Sequence, residues 1–246
     1  MPFDLGLPAA LWMGIAVFGA AFVRGYSGFG FAALIVSAAG LVTSPLYFVP
    51  VVVLADMVLT AQQARGIWRE IDWRRVATLF AGALVGVPAG VALLTGLGID
   101  TTRAIISVFV LAMCGLLLAG WSFRKPQGDA SHVTVGVVSG LANGAAVGGL
   151  PVAVFFAAQA LPPTVFRATM IAYFTALDIW TIPNFWAAGL ITRDTLIATL
   201  LCLPLMSLGV WLGGRRFRAA NPANFRRFAI LLLATLALLG LGKSLL

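Results

Sequence analysis

Charged side chains are scarce in this sequence. Only 10% of its 246 residues are Asp, Glu, Lys or Arg, whereas 61% are hydrophobic. Soluble domains carry about 25% charged residues, so this deficit excludes an ordinary water-soluble protein. Long polar stretches are also missing, which leaves no room for a separate soluble domain. Any function therefore has to lie within the apolar part of the chain.

Residues that bind metals or act as nucleophiles are equally rare. There is one histidine, His132, and the two cysteines, Cys114 and Cys202, lie in apolar runs without metal-ligand spacing. We predict no metal site, no cofactor and no catalytic residues. No nucleotide-binding motif is present, so this chain alone cannot drive transport with ATP. The start MPFDLG carries an acid instead of a basic segment, and we expect no cleavable signal peptide.

Long apolar runs are what the sequence has in abundance. Several reach the roughly 20 residues that cross about 30 Å of hydrocarbon, which predicts an all-α polytopic membrane protein. Two pairs of pieces are shorter and meet at Gly-rich breaks. The predicted segments are 9–23, 31–42, 46–64, 76–97, 104–122, 132–146, 149–160, 165–187, 195–213 and 228–245.

Basic residues cluster between these runs. The net charge is +8, and most of it lies in loops 65–75, 123–131 and 214–227. Clusters that flank apolar runs indicate membrane orientation rather than nucleic-acid binding, and the positive-inside rule places all three loops in the cytoplasm.

This placement constrains the short pieces of the second half. The chain must cross the membrane an even number of times between loops 123–131 and 214–227, and segments 165–187 and 195–213 already supply two crossings. Segment 132–160 then contributes none or two. Its pieces are too short to span, so we predict a re-entrant hairpin that enters from the cytoplasm and returns.

The first half follows the same plan from the opposite side. RGYSGFGFA can be laid over NGAAVGGLP, and LADMVLTAQQ over LDIWTIPNFW. A shift of the second alignment by one position pairs Asp56 with Asp178 and also Gln62 with Asn184. Inverted repeats are typical of secondary transporters. The predicted repeats are 1–122, with hairpin 9–42 and spans 46–64, 76–97 and 104–122, and 123–246, with hairpin 132–160 and spans 165–187, 195–213 and 228–245.

Two carboxylates lie near the centres of predicted helices. A charge at bilayer depth costs at least about 2.5–3.5 kcal/mol, and Asp56 and Asp178 have no room to reach the headgroups. They are either hydrogen-bonding anchors or groups that carry protons and shape a substrate site. Gln62 and Asn184 accompany them in the predicted polar core. Arg167 joins this core or extends to the membrane surface.

The stretch AFVRGYSGFGFAAL places a permanent charge in the first apolar segment. Arg24 cannot lose its proton and needs an anion or carbonyl partners. With the hydroxyls of Tyr26 and Ser27, and the free N–H groups of a helix that begins near Gly30, it predicts an anion pocket. Asn143 adds an amide from the second hairpin. The alternative is a structural ion pair between Arg24 and Asp56 or Asp178.

Glycines at small-xxx-small spacing occur in later segments. Gly82, Gly86 and Gly90 form one such set, and Gly209 and Gly213 another. This spacing favours close helix packing rather than chemistry.

The whole chain resembles the TauE/SafE family, which exports sulfite and organosulfur anions. The resemblance rests on GYSGFGF and NGAAVGGLP, on similar length and on the duplicated plan. The first motif departs from the family pattern, in which consecutive glycines and a proline often stand where this chain has GFGFAA. The resemblance implies that both motifs, from Gly25 to Gly30 and from Asn143 to Pro151, line the transport path. Together with the charge of Arg24, this gives the predicted substrate-binding residues Arg24, Gly25, Tyr26, Ser27, Gly28, Phe29, Gly30, Asn143, Gly144, Gly148, Gly149 and Pro151.

We therefore predict a secondary transporter that exports a small sulfur-containing anion across a bacterial inner membrane by alternating access around the two hairpin tips. Its partners are the anion and the lipid bilayer, without nucleic acid, and a homo-oligomer is left open. A passive anion channel would use the same donors. An intramembrane serine protease is suggested by Gly-x-Ser-Gly, but Ser27 needs a base and His132 lies on the other hairpin.

Overall fold

Helices make up every regular element of the part that the structure describes. The computed structural model describes residues 2–27, 30–63, 68–123, 127–159, 161–217 and 222–244. Short 3₁₀ turns at Pro2–Asp4 and Trp68–Glu70 precede the first and fourth α-helices. The α-helices are α1 (Leu7–Ser27), α2 (Phe31–Val42), α3 (Pro45–Gln63), α4 (Trp73–Thr95), α5 (Ile99–Ala119), α6 (Asp129–Asn143), α7 (Gly149–Ala157), α8 (Pro163–Ala187), α9 (Arg193–Phe217) and α10 (Pro222–Ser244).

Helix length separates these elements into two groups. Within the described residues six helices, α1, α3, α4, α5, α8 and α9, are long and apolar enough to cross a membrane. By contrast α2, α6 and α7 have 12, 15 and 9 residues, which corresponds to roughly 14 to 23 Å of helix. The chain is therefore a multi-pass membrane protein that also contains short helices.

The first helix is longer than the sequence predicted. We expected a segment at 9–23 that ends before Arg24, but α1 continues to Ser27 and has the length of a full span. Gly25 lies within this helix and serves close packing, because a Cβ at this position would overlap the backbone of Val210 in α9. The left-handed residue before α2 is Gly30, with φ of +84°.

The helices α6 and α7 form a hairpin whose two ends lie together. The N–H of Phe123, just before α6, donates to the carbonyl of Ala158, just after α7, at 2.8 Å. The ring of His132 in the first turn of α6 packs edge-on against Phe155 near the end of α7, with centroids 5.0 Å apart. The two helices thus run in opposite directions from one end of the molecule.

A second hairpin is formed by α1 and α2. The indole N–H of Trp12 donates to the carbonyl of Ala38 at 3.0 Å, which joins the first half of α1 to the second half of α2. The ring of Phe3 stacks on Tyr47 at 4.9 Å, so the residues before α1 contact the start of α3. The chain therefore returns to the end from which α1 begins.

Glycines bring α4 and α6 into backbone contact. A Cβ at Gly86 would lie 3.0 Å from the Cα of Gly140, and a Cβ at Gly140 would lie 2.9 Å from the Cα of Gly86. The same close approach occurs at Gly82 and Gly90. The packing role predicted for these α4 glycines is confirmed, and the facing glycines of α6, which the sequence analysis did not single out, complete the contact.

An equivalent contact joins α1 to α9. A Cβ at Gly209 would lie 2.8 Å from the carbonyl oxygen of Phe18, and one at Gly213 would lie 3.0 Å from the amide nitrogen of Tyr26. Both helix pairs flank a centre made of α2, α3, α7 and α8, where most side chains of α2 and α7 are buried. A third pair, α5 and α10, packs against α2 and α7.

The glycine contact between α4 and α6 can be tested with one methyl group. We expect Gly86→Ala to destabilise the protein by about 1–3 kcal/mol, because the added Cβ overpacks against the α6 backbone. The measurement is thermal unfolding of purified protein in detergent. Gly115→Ala is the matched control, since a Cβ there meets nothing within 4 Å and the residue is exposed. An equal effect of both substitutions would contradict the packing account.

Candidate functional site

The breaks of the two hairpins meet at a cavity in the centre of the bundle. Its volume is about 50 Å³, and a water needs roughly 10–15 Å³, so it has room for a few waters or one small ion. Residues from both breaks and from the middle of α3 and α8 surround it. The lining residues are Arg24, Gly30, Phe31, Ala32, Ala33, Val52, Val53, Asp56, Asn143, Ala146, Val147, Gly149, Leu150, Phe174, Leu177 and Asp178.

Two helices begin at this cavity. The first turns of α2 and α7 line it, and neither N-cap residue, Gly30 or Gly148, supplies a side-chain hydrogen bond. The first N–H groups of a helix have no partner within the helix, and they mark the positive end of its dipole. One of these groups in α7, the N–H of Leu150, donates to the carbonyl of Val147 at 3.1 Å. Two converging N-termini favour an anion in the cavity.

Arg24 brings a full positive charge to the same cavity. Its residue exposure is 5%, and its guanidinium forms an ion pair with Asp56 and donates to the Thr60 hydroxyl at 3.0 Å. The guanidinium carbon lies 5.4 Å from the centre of the Phe31 ring. The ion pair that the sequence left as an alternative is present, and Arg24 nevertheless lines the cavity. Its Nε has no hydrogen-bond partner in the described part of the chain.

Asp178 faces the cavity from α8. Its residue exposure is 5%, and its Oδ2 atom is buried without a hydrogen-bond partner among the described residues. The two central carboxylates are therefore unlike each other. Asp56 is held by Arg24, whereas one oxygen of Asp178 is available to whatever enters the cavity.

Asn143 lies at the end of α6 and links the break to α8. Its amide donates to the Thr181 hydroxyl at 2.8 Å, and both side chains are buried. Because this contact fixes the amide, Asn143 presents its remaining polar atoms at the cavity wall in a defined position.

A second buried network holds the backbone of the α6–α7 break. The Tyr173 hydroxyl donates to Ser139 at 2.8 Å, and Ser139 donates to the carbonyl of Gly148 at 2.7 Å. The two hydroxyls and the carbonyl in this row of hydrogen bonds all have a partner, as buried polar groups require. The network therefore stabilises the turn from which α7 begins.

The structure brings only part of the predicted substrate-binding set to the cavity. The predicted residues that line it are Arg24, Gly30, Asn143 and Gly149, together with Asp56 and Asp178 from the predicted polar core. Gly28, Phe29 and the side chain of Ser27 lie outside the described residues.

The other predicted substrate-binding residues lie around the cavity rather than on its wall. Gly25 and Gly144 pack helices, against Val210 of α9 and Gly90 of α4 respectively. Gly148 packs against Ser139 and the Asn143 side chain, while Tyr26 and Pro151 are buried in α1 and α7. Backbone proximity explains these glycines without contact to a ligand.

Gln62, Asn184 and Arg167 are also absent from the cavity wall. The amide of Gln62 donates to Ser207 at 3.0 Å, and that of Asn184 donates to the carbonyl of Trp180 at 2.8 Å. Arg167 is half-buried near the start of α8, close enough to repel the charge of Arg24. A role for these three residues in coupling stays a prediction.

Sequence reasoning missed two threonines that support the central charges. Thr60 follows Asp56 by four positions and bonds to Arg24, and Thr181 follows Asp178 by three and bonds to Asn143. Residues three or four apart share a helix face, so this spacing was a usable signal. The apolar wall residues, among them Phe174, carried no comparable signal.

A larger cavity of about 680 Å³ lies at the end of the bundle where α1, α3 and α9 begin. The N–H of Phe3 donates to a carboxylate oxygen of Asp194 at 2.8 Å beside it. Its polar lining includes Asp4, Ser44, Arg193 and Asp194. No pattern in the sequence predicted this cavity.

In the described part of the chain, no three His, Cys, Asp or Glu side chains are grouped so that they could hold a metal ion. His132 lies at the start of α6, with its Nδ1 2.8 Å from the carbonyl of Gly128, and does not line the central cavity.

Comparison with known proteins identifies the family. The sequence model of the sulfite exporter TauE/SafE family matches residues 13–239. No curated protein and no solved structure shows significant similarity. Because the family match extends over nearly the whole chain, this protein belongs to the sulfite exporter TauE/SafE family.

Proposed function

We propose that this protein is a secondary transporter that exports a small sulfur-containing anion, such as sulfite or an organosulfonate, across a bacterial cytoplasmic membrane. One observation carries the proposal: Arg24 and the N-termini of α2 and α7 converge on one central cavity of a membrane protein of this family. The small volume of that cavity fits a compact oxyanion better than an extended molecule.

The proposed architecture is two inverted repeats, 1–122 and 123–246. If α1 to α5 correspond to α6 to α10, the main contacts between helices of the two repeats occur in equivalent pairs. The pairs α1–α9 and α4–α6 are exchanged in this way, as are α3–α9 with α4–α8 and α2–α10 with α5–α7. This pattern of exchanged pairs supports the repeat, which is the plan of many transporters that alternate between two related states.

The proposed orientation places the basic loops 65–75, 123–131 and 214–227 in the cytoplasm. Arg74 at the start of α4 forms an ion pair with Asp129 at the start of α6, with 2.7 Å between the charged atoms. Glu70 accepts from Thr164 at the start of α8, at 3.4 Å. The starts of α4, α6 and α8 thus share one end of the bundle, and positive-inside counting favours the cytoplasmic side for it.

In this orientation the α6–α7 hairpin enters the membrane from the cytoplasm, and the α1–α2 hairpin enters from the opposite side. The 680 Å³ cavity beside Asp194 then serves as an external vestibule. Alternating access would open the central cavity to the cytoplasm in one state and to this vestibule in the other. The anion would bind to the free N–H groups of the helix N-termini and beside Arg24.

Arg24 and Asp56 should be tested together, because removing one leaves the other as an unpaired buried charge. We expect Arg24→Gln and Asp56→Asn each to destabilise the protein by about 3–5 kcal/mol, and the double variant to recover most of that loss. Anion binding should stay absent in the double variant, since the guanidinium is missing. The measurements are thermal unfolding and binding of the anion by purified protein.

Comparing the two single variants with the double variant separates a binding role of Arg24 from a purely structural one. A structural ion pair predicts that the double variant regains both folding and anion binding, and that result would contradict our proposal. Arg24→Lys is a further comparison. It keeps the charge but loses the planar fork, so we expect folded protein with partial binding.

The substrate class can be identified by ligand-induced stabilisation. We expect sulfite, thiosulfate or a sulfonate to raise the unfolding temperature, because a ligand at 100 times its Kd stabilises the folded state by about 2.7 kcal/mol. The panel is sulfite, thiosulfate, methanesulfonate, sulfoacetate, taurine and sulfate, with acetate as the carboxylate control. Stabilisation by acetate alone would overturn the assignment to sulfur anions.

Transport mode can be measured in proteoliposomes. A carrier predicts saturable uptake of labelled sulfite that is accelerated by unlabelled sulfite on the other side of the membrane. Ohmic current without this acceleration would indicate a channel instead.

A further inference from the structure

We propose that Asp178 takes up one proton when the anion binds in the central cavity, so that anion and proton occupy the protein together. This inference rests on the proposed transport function. It concerns how the central site accommodates a negative charge next to a carboxylate.

The charges around the cavity make an ionised Asp178 incompatible with a bound anion. Asp56 is the counter-ion of Arg24 in their ion pair. Asp178 lines the same cavity without an ion-pair partner in the described part of the chain. An anion in so small a cavity lies within a few ångströms of Asp178. Repulsion between like charges about 4 Å apart would weaken binding by roughly a thousandfold at an effective dielectric constant of about 20.

A proton on Asp178 removes this repulsion and adds an attractive contact. A protonated carboxyl is a hydrogen-bond donor, and the Oδ2 atom is buried without a partner among the described residues. The O–H group can then donate to an oxygen of the anion. Proton and anion therefore each favour the binding of the other, and the effect is reciprocal by linkage.

Asp178 is better suited to this role than Asp56. Protonation of Asp56 would leave the buried guanidinium of Arg24 without its counter-ion. Protonation of Asp178 breaks no ion pair within the part of the chain that the structure describes. Neutralising it changes the charge of the cavity wall by one unit and leaves the Arg24–Asp56 pair in place.

The other charged and titratable groups near Asp178 do not supply a counter-charge beyond Arg24. On α8 itself, Tyr173 is bonded to Ser139, and Arg167 lies eleven positions before Asp178. On α3, Tyr47 lies in the first turn, stacked on Phe3. The charged groups of the other elements packed against α8 lie at its start, more than two helical turns from Asp178. These are Arg69 and Glu70 of the 3₁₀ turn, Asp72 before α4, and Arg74 and Arg75 of α4, near Thr169 and Thr164. On α6, Asp129 and His132 lie in the first turn, and α7 contains no titratable side chain.

The direct test is to measure how many protons the protein takes up when it binds an anion whose own charge is fixed. Methanesulfonate is the probe, because its charge does not change near neutral pH, whereas sulfite itself titrates there. Calorimetric titration of the full chain in buffers of different protonation enthalpy gives the number of protons taken up. We expect close to one proton per anion for the wild type, with an affinity that falls by as much as about tenfold for each unit of rising pH.

Asp178→Asn should abolish this uptake. Asparagine matches the neutral acid in shape and keeps a donor, so we expect the variant to bind methanesulfonate with an affinity independent of pH. Asp129→Asn is the matched control, since that carboxylate is half-exposed at the start of α6 and should leave uptake unchanged. If Asp178→Asn does not fold, proton uptake by the wild type and by Asp178→Glu still decides the question.

The outcomes are distinct for the two proposals. Binding of methanesulfonate without proton uptake by the wild type overturns the role of Asp178 and leaves the transport function intact. Binding that requires sodium, and not protons, overturns it as well. If neither sulfite nor methanesulfonate binds the wild type, the transport function fails and this inference fails with it.

Discussion

A guanidinium that cannot lose its proton lies in the middle of an apolar helix bundle, and the central architecture depends on how it is accommodated. An isolated charge of this kind costs several kcal/mol in a low-dielectric environment. Asp56 supplies the opposite charge and Thr60 an acceptor, so the Arg24 side chain connects α1 to α3 at this level. The ion pair offsets most of the free-energy cost of burying the charge, and Arg24 still reaches the cavity wall.

Close backbone contacts between helices make this central site possible. Glycines allow α4 to contact α6, and α1 to contact α9, at distances that any Cβ would prevent. These contacts hold the two hairpins against long helices, and the hairpin breaks meet at the centre. In the second hairpin, the Tyr173–Ser139–Gly148 network fixes the turn. Positive helix ends are thereby presented where Arg24 and Asp178 also lie.

The glycines show how far sequence reasoning could reach and where it could not distinguish one role from another. Small-xxx-small spacing in α4 correctly predicted packing, but Gly25 and Gly144 were assigned to the transport path because they belong to motifs that contain turns. In the structure both lie where neighbouring backbones approach. A glycine is needed for a turn, for close packing or for contact with a ligand, and one sequence does not distinguish these uses.

Composition, the lengths of the apolar runs and the scarcity of charge determined that this is a helical membrane protein with short broken segments. They also marked Arg24, Asp56, Asn143 and Asp178 as unusual, because each is costly in an apolar environment. Which charges pair was decided only by the tertiary structure. Asp56 and Asp178 are alike in sequence context, but α3 brings Asp56 to the guanidinium, whereas α8 leaves an oxygen of Asp178 without a partner among the described residues. Pairing depends on distances between helices far apart in the chain, which no local pattern encodes.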